Sequence, residues 1–337
     1  MRRRDVLLQS IVTMLFGRGA ARAKGNAKAM DDLKKRIAEI DAAAVKSFPF
    51  KLVAVAGKDA LAEWERLKSS AEGIPVVLGD DETVSRLSGA FDPLMLEGEK
   101  SVAQILEAAA SIKIPADLFS RRQKEDAESK KYVEDLLAGP NEKLPKVFEI
   151  KDAEGKGAAY VEQWFDNRAS SPNSLGPEGR ALSVAETRAY IAKHSEYGAK
   201  LGAWPDGVPQ SSGLTVATDL TGSKPLDKVY IALIPTKDWT EIPAYLRWGG
   251  WNDCPGPEYH VAALRSWRDR YGVELIGASG DTLNLRASRR PATREEAIAL
   301  AREQYAYCTD VIEQGTQTLS VLAAQLYYDN WWFFWWD

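Results

Sequence analysis

The chain closes on Trp331-Trp332-Phe333-Phe334-Trp335-Trp336, followed by Asp337. Six consecutive large aromatic side chains cannot all stay in water. Each buries about 150–250 Å² when packed, and an exposed patch of that size invites aggregation. The run is therefore expected to form a buried strand, the final piece of a core built by the last third of the chain. Four of the eleven tryptophans lie in it, so much of the packing surface is delivered at the very end.

Composition narrows the function classes. A length of 337 residues admits two domains or one large one. The net charge is −4, although residues 1–23 hold five arginines (Arg2, Arg3, Arg4, Arg18 and Arg22) against one aspartate, so the rest is more acidic still. An acidic surface argues against nucleic acid and against anionic membranes as partners. Two cysteines and two histidines rule out a disulfide scaffold, a multi-cysteine zinc site and a three-histidine metal centre. No apolar run reaches the roughly 18 residues that a membrane span requires. No cofactor motif occurs and no cofactor is expected. Gly57-Lys58-Asp59 lacks the spaced glycine and the Ser/Thr of a phosphate loop.

The first 23 residues have the layout of an export signal. Arg2 to Arg4 make a basic start, Val6 to Phe16 a short apolar stretch, and Ala21-Arg22-Ala23 a small-x-small exit. Arg3-Arg4-x-x-Leu7 resembles a twin-arginine signal, with Val6 where phenylalanine is preferred. Such a leader implies a periplasmic or exported protein; without it the setting is cytoplasmic. The competing reading is an amphipathic helix with Leu7, Leu8, Ile11, Val12 and Leu15 on one stripe.

Beyond the leader, residues 24–150 read as an N-terminal α/β region. Apolar runs at Phe50–Ala56 and Ile74–Leu78 flank a helical stretch at Asp59–Leu67, the order of a βαβ unit with a parallel strand pair. Residues 151–226 are rich in Gly, Ser, Pro and Asn and read as a connecting region. Residues 227–337 read as a C-terminal domain. A strand at Lys228–Ile234 and a helix at Pro257–Tyr271 lead to a hairpin, Val273–Ala278 and Thr282–Ala287, turned at Ser279-Gly280-Asp281. Two helices and the aromatic strand follow, with Thr293 and Glu296 placed for a capping box. The class is α+β, with a mainly antiparallel C-terminal sheet covered by helices.

Several stretches together resemble one bacterial family. They are Trp248-Gly249-Gly250-Trp251-Asn252-Asp253-Cys254-Pro255, the segment from His260 to Gly272, Arg290 to Ala297, Tyr305-Ala306-Tyr307-Cys308-Thr309-Asp310 and the closing Trp335-Trp336-Asp337. The family is catalogued as domain of unknown function 4253. The resemblance covers Asp227 to Asp337 well and Phe48 to Pro115 more loosely. Thr309 stands where the resemblance leads one to expect proline, which puts a local turn in question. The resemblance implies no catalytic residues.

Candidate sites follow from residue chemistry. His260 shares a helical stripe with Leu264, Trp267 and Tyr271; it suits proton transfer or a structural hydrogen bond on an apolar face. Cys254 could act as a nucleophile with His260 as base, and Glu303 or Asp310 could serve as the carboxylate. Cys254 and Cys308 could pair as a disulfide, or remain free buried thiols. Asp80 and Asp81 follow an apolar run, where they could hold a hard cation or simply cap the next helix. The loop Trp248-Gly249-Gly250-Trp251-Asn252, with Arg265 and Arg268 nearby in sequence, carries interface-type residues; the alternative is that both tryptophans plug the core. These features point first to a non-enzymatic, protein-binding accessory or self-protection protein. The alternative is a hydrolase-like enzyme using His260 with Glu303, Asp310 or Cys254. Oligomeric state is not encoded in any of them.

Overall fold

A computed structural model describes residues 23–69, 72–151, 158–163, 180–194, 198–207, 211, 213–219, 222 and 224–336. The expected leader, residues 1–23, lies outside them except for Ala23, which starts a helix. Among the described residues no helix is long and apolar enough to cross a membrane.

The described strands are β1 (Lys51–Val55), β2 (Ile74–Gly79), β3 (Lys146–Lys151), β4 (Ala158–Gln163), β5 (Arg180–Ala181), β6 (Val229–Ile234), β7 (Val273–Ala278), β8 (Thr282–Ala287) and β9 (Trp331–Trp335). The described α-helices are α1 (Ala23–Ser47), α2 (Ala60–Leu67), α3 (Asp81–Ser88), α4 (Pro93–Leu96), α5 (Val102–Ser111), α6 (Ala116–Ala138), α7 (Val184–His194), α8 (Ile242–Leu246), α9 (Pro257–Tyr271), α10 (Arg294–Tyr307) and α11 (Leu319–Tyr328).

Two compact units result, residues 1–30 with 123–198 and residues 31–122 with 199–337. The boundaries drawn from composition at 150 and 226 are not those of the units. In the first unit β3 pairs antiparallel with both β4 and β5. There Arg180 bridges Glu149 of β3 and Glu186 of α7, while Ser183 and Glu186 close the N-terminus of α7 reciprocally.

The second unit holds a six-stranded sheet ordered β1-β6-β2-β7-β8-β9. It is mainly antiparallel, and the fold is α+β. The one parallel pairing in this sheet is β2 with β7. The expected parallel pair of β1 and β2 is not made. The two strands run parallel, but β6 lies between them and pairs antiparallel with each. Local sequence shows that two strands flank α2; it carries no signal for a third strand inserted from some 150 residues further on.

All six residues of β6 are buried. Tyr230, Ala232 and Ile234 join the larger core cluster, whereas Val229, Ile231 and Leu233 join the cluster with Trp64 of α2 on the opposite face. Alternation places successive side chains on opposite faces, so a strand buried on both sides must be apolar throughout, as this one is. Trp64 is pinned by its indole N–H, which donates to the Pro75 carbonyl at 2.8 Å.

The C-terminal run is half interior. Trp332, Phe334 and Trp336 are buried, Trp331 and Trp335 are partly exposed, and Phe333 is 38 % exposed. Among the described residues β9 is an edge strand paired only with β8, and its period of two turns every other ring away from the core. This corrects the expectation of a wholly buried strand.

Candidate functional site

His260 lies on α9, which starts at Pro257 and ends where Gly272 adopts a left-handed conformation. Its imidazole is fully buried. Nδ1 is 2.5 Å from the Tyr307 hydroxyl and Nε2 is 3.4 Å from Cys254 Sγ. Trp248 and Trp336 meet the ring edge-on, with centroids 4.7 and 5.6 Å away. Burial drives the imidazole down to about 3, against a smaller upward pull from the Pro255 carbonyl. Burial likewise pushes the Cys254 thiol and the Tyr307 phenol well above their ordinary ranges. At neutral pH the cluster is therefore an uncharged hydrogen-bonded plug, with Nδ1 and the Tyr307 hydroxyl sharing one hydrogen bond. It is not a thiolate–imidazolium pair, the form in which a cysteine attacks.

The two carboxylates considered for His260 have other work. Glu303 is buried and accepts from the Trp267 indole N–H at 2.7 Å and from Arg270. Asp310 accepts from the Gln314 amide at 3.0 Å. The ring nitrogens of His260 face Tyr307 and Cys254, and neither carboxylate is their partner.

Cys254 and Cys308 are both free and buried. The disulfide is not formed: Cys254 faces His260, and Cys308 donates to the Trp335 carbonyl at 3.0 Å. Asp80 caps α3 by accepting from the Thr83 N–H at 3.0 Å. Asp81 accepts from the Tyr230 hydroxyl at 2.9 Å and pairs with Lys228 at 2.5 Å. Those contacts occupy the carboxylates that were considered as cation ligands, and among the described residues no metal-type cluster occurs.

The Trp248 loop is mostly core. Trp248 is buried and donates its indole N–H to the Ser279 carbonyl at 2.7 Å. That removes it from the set of exposed binding residues. Trp251 packs edge-on against it at 4.9 Å and is partly exposed; Asn252, with φ +47°, is exposed. Arg265 pairs with Glu241, and Arg268 with Asp238 and Asp269. Asp253 anchors the loop by accepting from Arg122 at 2.7 Å and from the Thr309 hydroxyl at 3.0 Å. Proline at 309 would lack that hydroxyl, so the departure noted in the sequence has a structural use.

A different surface offers a cavity, of about 460 Å³, beside β9. A π-helical turn, Val311–Thr316, and α11 form its other sides. Gln304 of α10 is 1 % exposed and lines it, and among the described residues its Nε2 has no hydrogen-bond partner; nor has Nε1 of Trp332, also in the lining and 2 % exposed.

The tryptophan loop, α9 and the aromatic strand thus fold into one packed body. Residues 230–337 match the family model described as a domain of unknown function, DUF4253. No curated protein matches the chain, and no solved structure matches it. The DUF4253 match starts one residue inside β6 and contains the cavity, the His260 cluster and β7 to β9. β1 and β2 stand outside it, although both pair with β6.

Sequence reading missed Tyr307 as the partner of His260, and it missed Gln304. A usable signal was present on α10. Ala297, Leu300, Ala301, Gln304 and Tyr307 recur at helical spacing and are all buried, so Gln304 interrupts an apolar stripe with an amide that needs a partner.

Proposed function

We propose that the second unit is a non-catalytic binding module that captures an extended segment of another protein along β9. The observation that carries this reading is the edge backbone of Trp331 and Phe333, which meets no partner among the described residues, although the Trp335 carbonyl is already taken by the Cys308 thiol. Natural edge strands are normally blunted by charges, prolines or bulges, yet β9 reads Trp-Trp-Phe-Phe-Trp with none of these. The hydrogen bonds from Trp336 N–H to Asp281 O and from Ala287 N–H to Asn330 O set the phase of the β8–β9 ladder. Even-numbered residues turn their backbone groups toward β8, so those of Trp331 and Phe333 point outward. An incoming strand finds backbone partners there, with rings alongside for specificity. The neutral, buried His260 cluster gives no support to the hydrolase-like alternative.

The test places a photoreactive phenylalanine analogue at position 333 in the native host, with the same analogue at Leu94, 83 % exposed, as control. A discrete adduct is expected from position 333 alone, cross-linked through a short apolar segment. Equal adduct yields from both positions would overturn the reading. Part of the same proposal is an exported setting, supported by the Arg3-Arg4 leader. Mature protein whose N-terminus is still Met1 would defeat that part alone.

A further inference from the structure

We infer that the segment captured along β9 carries a basic residue, lysine or arginine, whose side chain enters the cavity beside that strand and meets Asp310 and Asp329. This deepens the binding reading above and rests on it for the strand that delivers the side chain.

The cavity lies where an added strand would send side chains. Its walls include Leu322 and Leu326 of α11 and Trp332 of β9, all members of the larger core cluster. It therefore opens toward the face of the sheet that α10 and α11 cover. Trp331, Phe333 and Trp335 also contribute to its lining, so it runs along the same edge on which the backbone of Trp331 and Phe333 points outward. A strand pairing there turns every second side chain toward the covered face. The volume of about 460 Å³ leaves room for one long side chain and falls within the range of roughly 300–1,000 Å³ typical of small-ligand sites.

Charge selects that side chain. The lining holds two charged groups, Asp310 and Asp329, and no lysine, arginine or histidine. Both aspartates are partly exposed, so neither is sealed from an incoming group. Asp329 also works against its own helix. It is the C-cap of α11, whose last turn carries no basic residue. A helix C-terminus is partially negative and favours cations, so a carboxylate there strengthens the negative field. Arg290 donates to the Tyr328 carbonyl at 2.7 Å; it is outside the lining, and among the described residues it makes no ion pair with Asp329. The donor to Asp329 is a neutral one, the Asn330 backbone N–H at 2.7 Å.

A basic side chain answers this arrangement and the other classes do not. An apolar side chain would strip water from two carboxylates and give nothing in return, and an uncompensated buried charge is costly. An acidic side chain adds like charge. Lysine or arginine lays its methylenes along Leu322 and Leu326 and keeps its charged head at the aspartates. The chain as a whole is acidic, with a net charge of −4, which steers basic partners toward it.

The experiment uses the full chain and a capped six-residue peptide, Thr-Val-Lys-Val-Thr-Thr, beside versions with norleucine or glutamate in place of lysine. Binding is measured by calorimetry at low and high salt. The lysine peptide is expected to bind roughly tenfold tighter than the norleucine peptide, as one charge-assisted contact allows, with the glutamate peptide weaker still. Added salt should narrow that preference. Asp310→Asn and Asp329→Asn keep the side-chain volume. Each should lower the lysine-over-norleucine ratio about threefold without weakening the norleucine peptide.

A lysine peptide methylated on alternate backbone nitrogens cannot add to a strand edge, and it separates the two ideas. Binding lost on methylation, with lysine and norleucine bound equally, would overturn the cation inference and leave strand capture standing. Binding kept on methylation, with the lysine preference intact, would support the cation site and count against strand capture. A lysine preference unchanged in both Asp variants would overturn the inference, as would no binding by any peptide at millimolar concentration. Dimers of the chain that the lysine peptide does not dissociate would assign the edge to a second copy and overturn it as well.

Discussion

The indole N–H of Trp267 donates to Glu303 Oε1 across 2.7 Å, joining α9 to α10 through two side chains that are both buried. Trp267 also stacks on Phe334 of β9, with centroids 5.4 Å apart, so the contact locks two helices and the edge strand into one arrangement. Glu303→Leu leaves the Trp267 donor without an acceptor, and a buried donor stranded in this way costs about 1–3 kcal/mol. Glu303→Gln keeps an acceptor and should cost less. Urea midpoints of the two variants check the order; equal loss in both would show that the charge, not the acceptor, matters.

His260 predicts an acid-sensitive slope. Burial holds its folded value near 3, below the ordinary 6.5. As pH falls the unfolded chain takes up the proton first, so the stability present above about 6.5 is lost progressively down to about 3. The full difference corresponds to about 5 kcal/mol. His260→Gln should remove this contribution, making the variant less pH-dependent than the wild type between about pH 7 and pH 4. Parallel stability–pH curves for the two proteins would contradict it.

Gly249 and Gly250 form a matched pair of tests. Both have positive φ, +108° and +84°. A Cβ on Gly249 would sit 2.5 Å from His260 Nε2 and against the Pro255 carbonyl, whereas one on Gly250 meets open space. Gly250→Ala should cost only backbone strain, on the order of 1–2 kcal/mol. Gly249→Ala adds a clash with the buried plug and should melt markedly lower or fail to fold. Similar melting temperatures for the two would refute the placement of His260.

The segment 230–337, matched by the DUF4253 model, should not fold alone. Without residues 48–79, β6 loses both neighbours and β7 loses its parallel partner. The isolated segment is expected to lack a cooperative melt and to show poorly dispersed amide signals. A sharp transition would mean that β7 to β9 and their helices suffice.

Much of this fold is legible locally. The β7–β8 hairpin follows from two apolar runs and the turn Ser279-Gly280-Asp281, and the strands of the six-stranded sheet fall where expected, whereas β3, β4 and β5 were not expected and the last two lie in the stretch read as a connecting region. Thr293 caps α10 by accepting from Glu296 N–H, while Glu296 reaches back to the Ala292 N–H, not to that of Thr293. What local pattern cannot carry is pairing across long separations, which is why β6 between β1 and β2 went unseen. β9 misled for another reason. Six aromatic residues in a row conceal the alternation that normally separates an inward from an outward face, so an edge strand read as a wholly buried one. On the site side, His260 beside Cys254 was legible from proximity along the chain. Tyr307, Gln304 and the cavity depend on how α10, α11 and β9 meet, which spacing within one helix does not report.

The insertion of β6 between β1 and β2 also sets a schedule for synthesis. A ribosome delivers the first two strands and then makes about 150 further residues before β6 emerges. At ordinary elongation rates that interval is on the order of ten seconds. For that time the nascent chain carries two apolar strands with a vacant slot between them. Anything that slows translation in this interval lengthens the exposure of those strands to wrong partners and to chaperones.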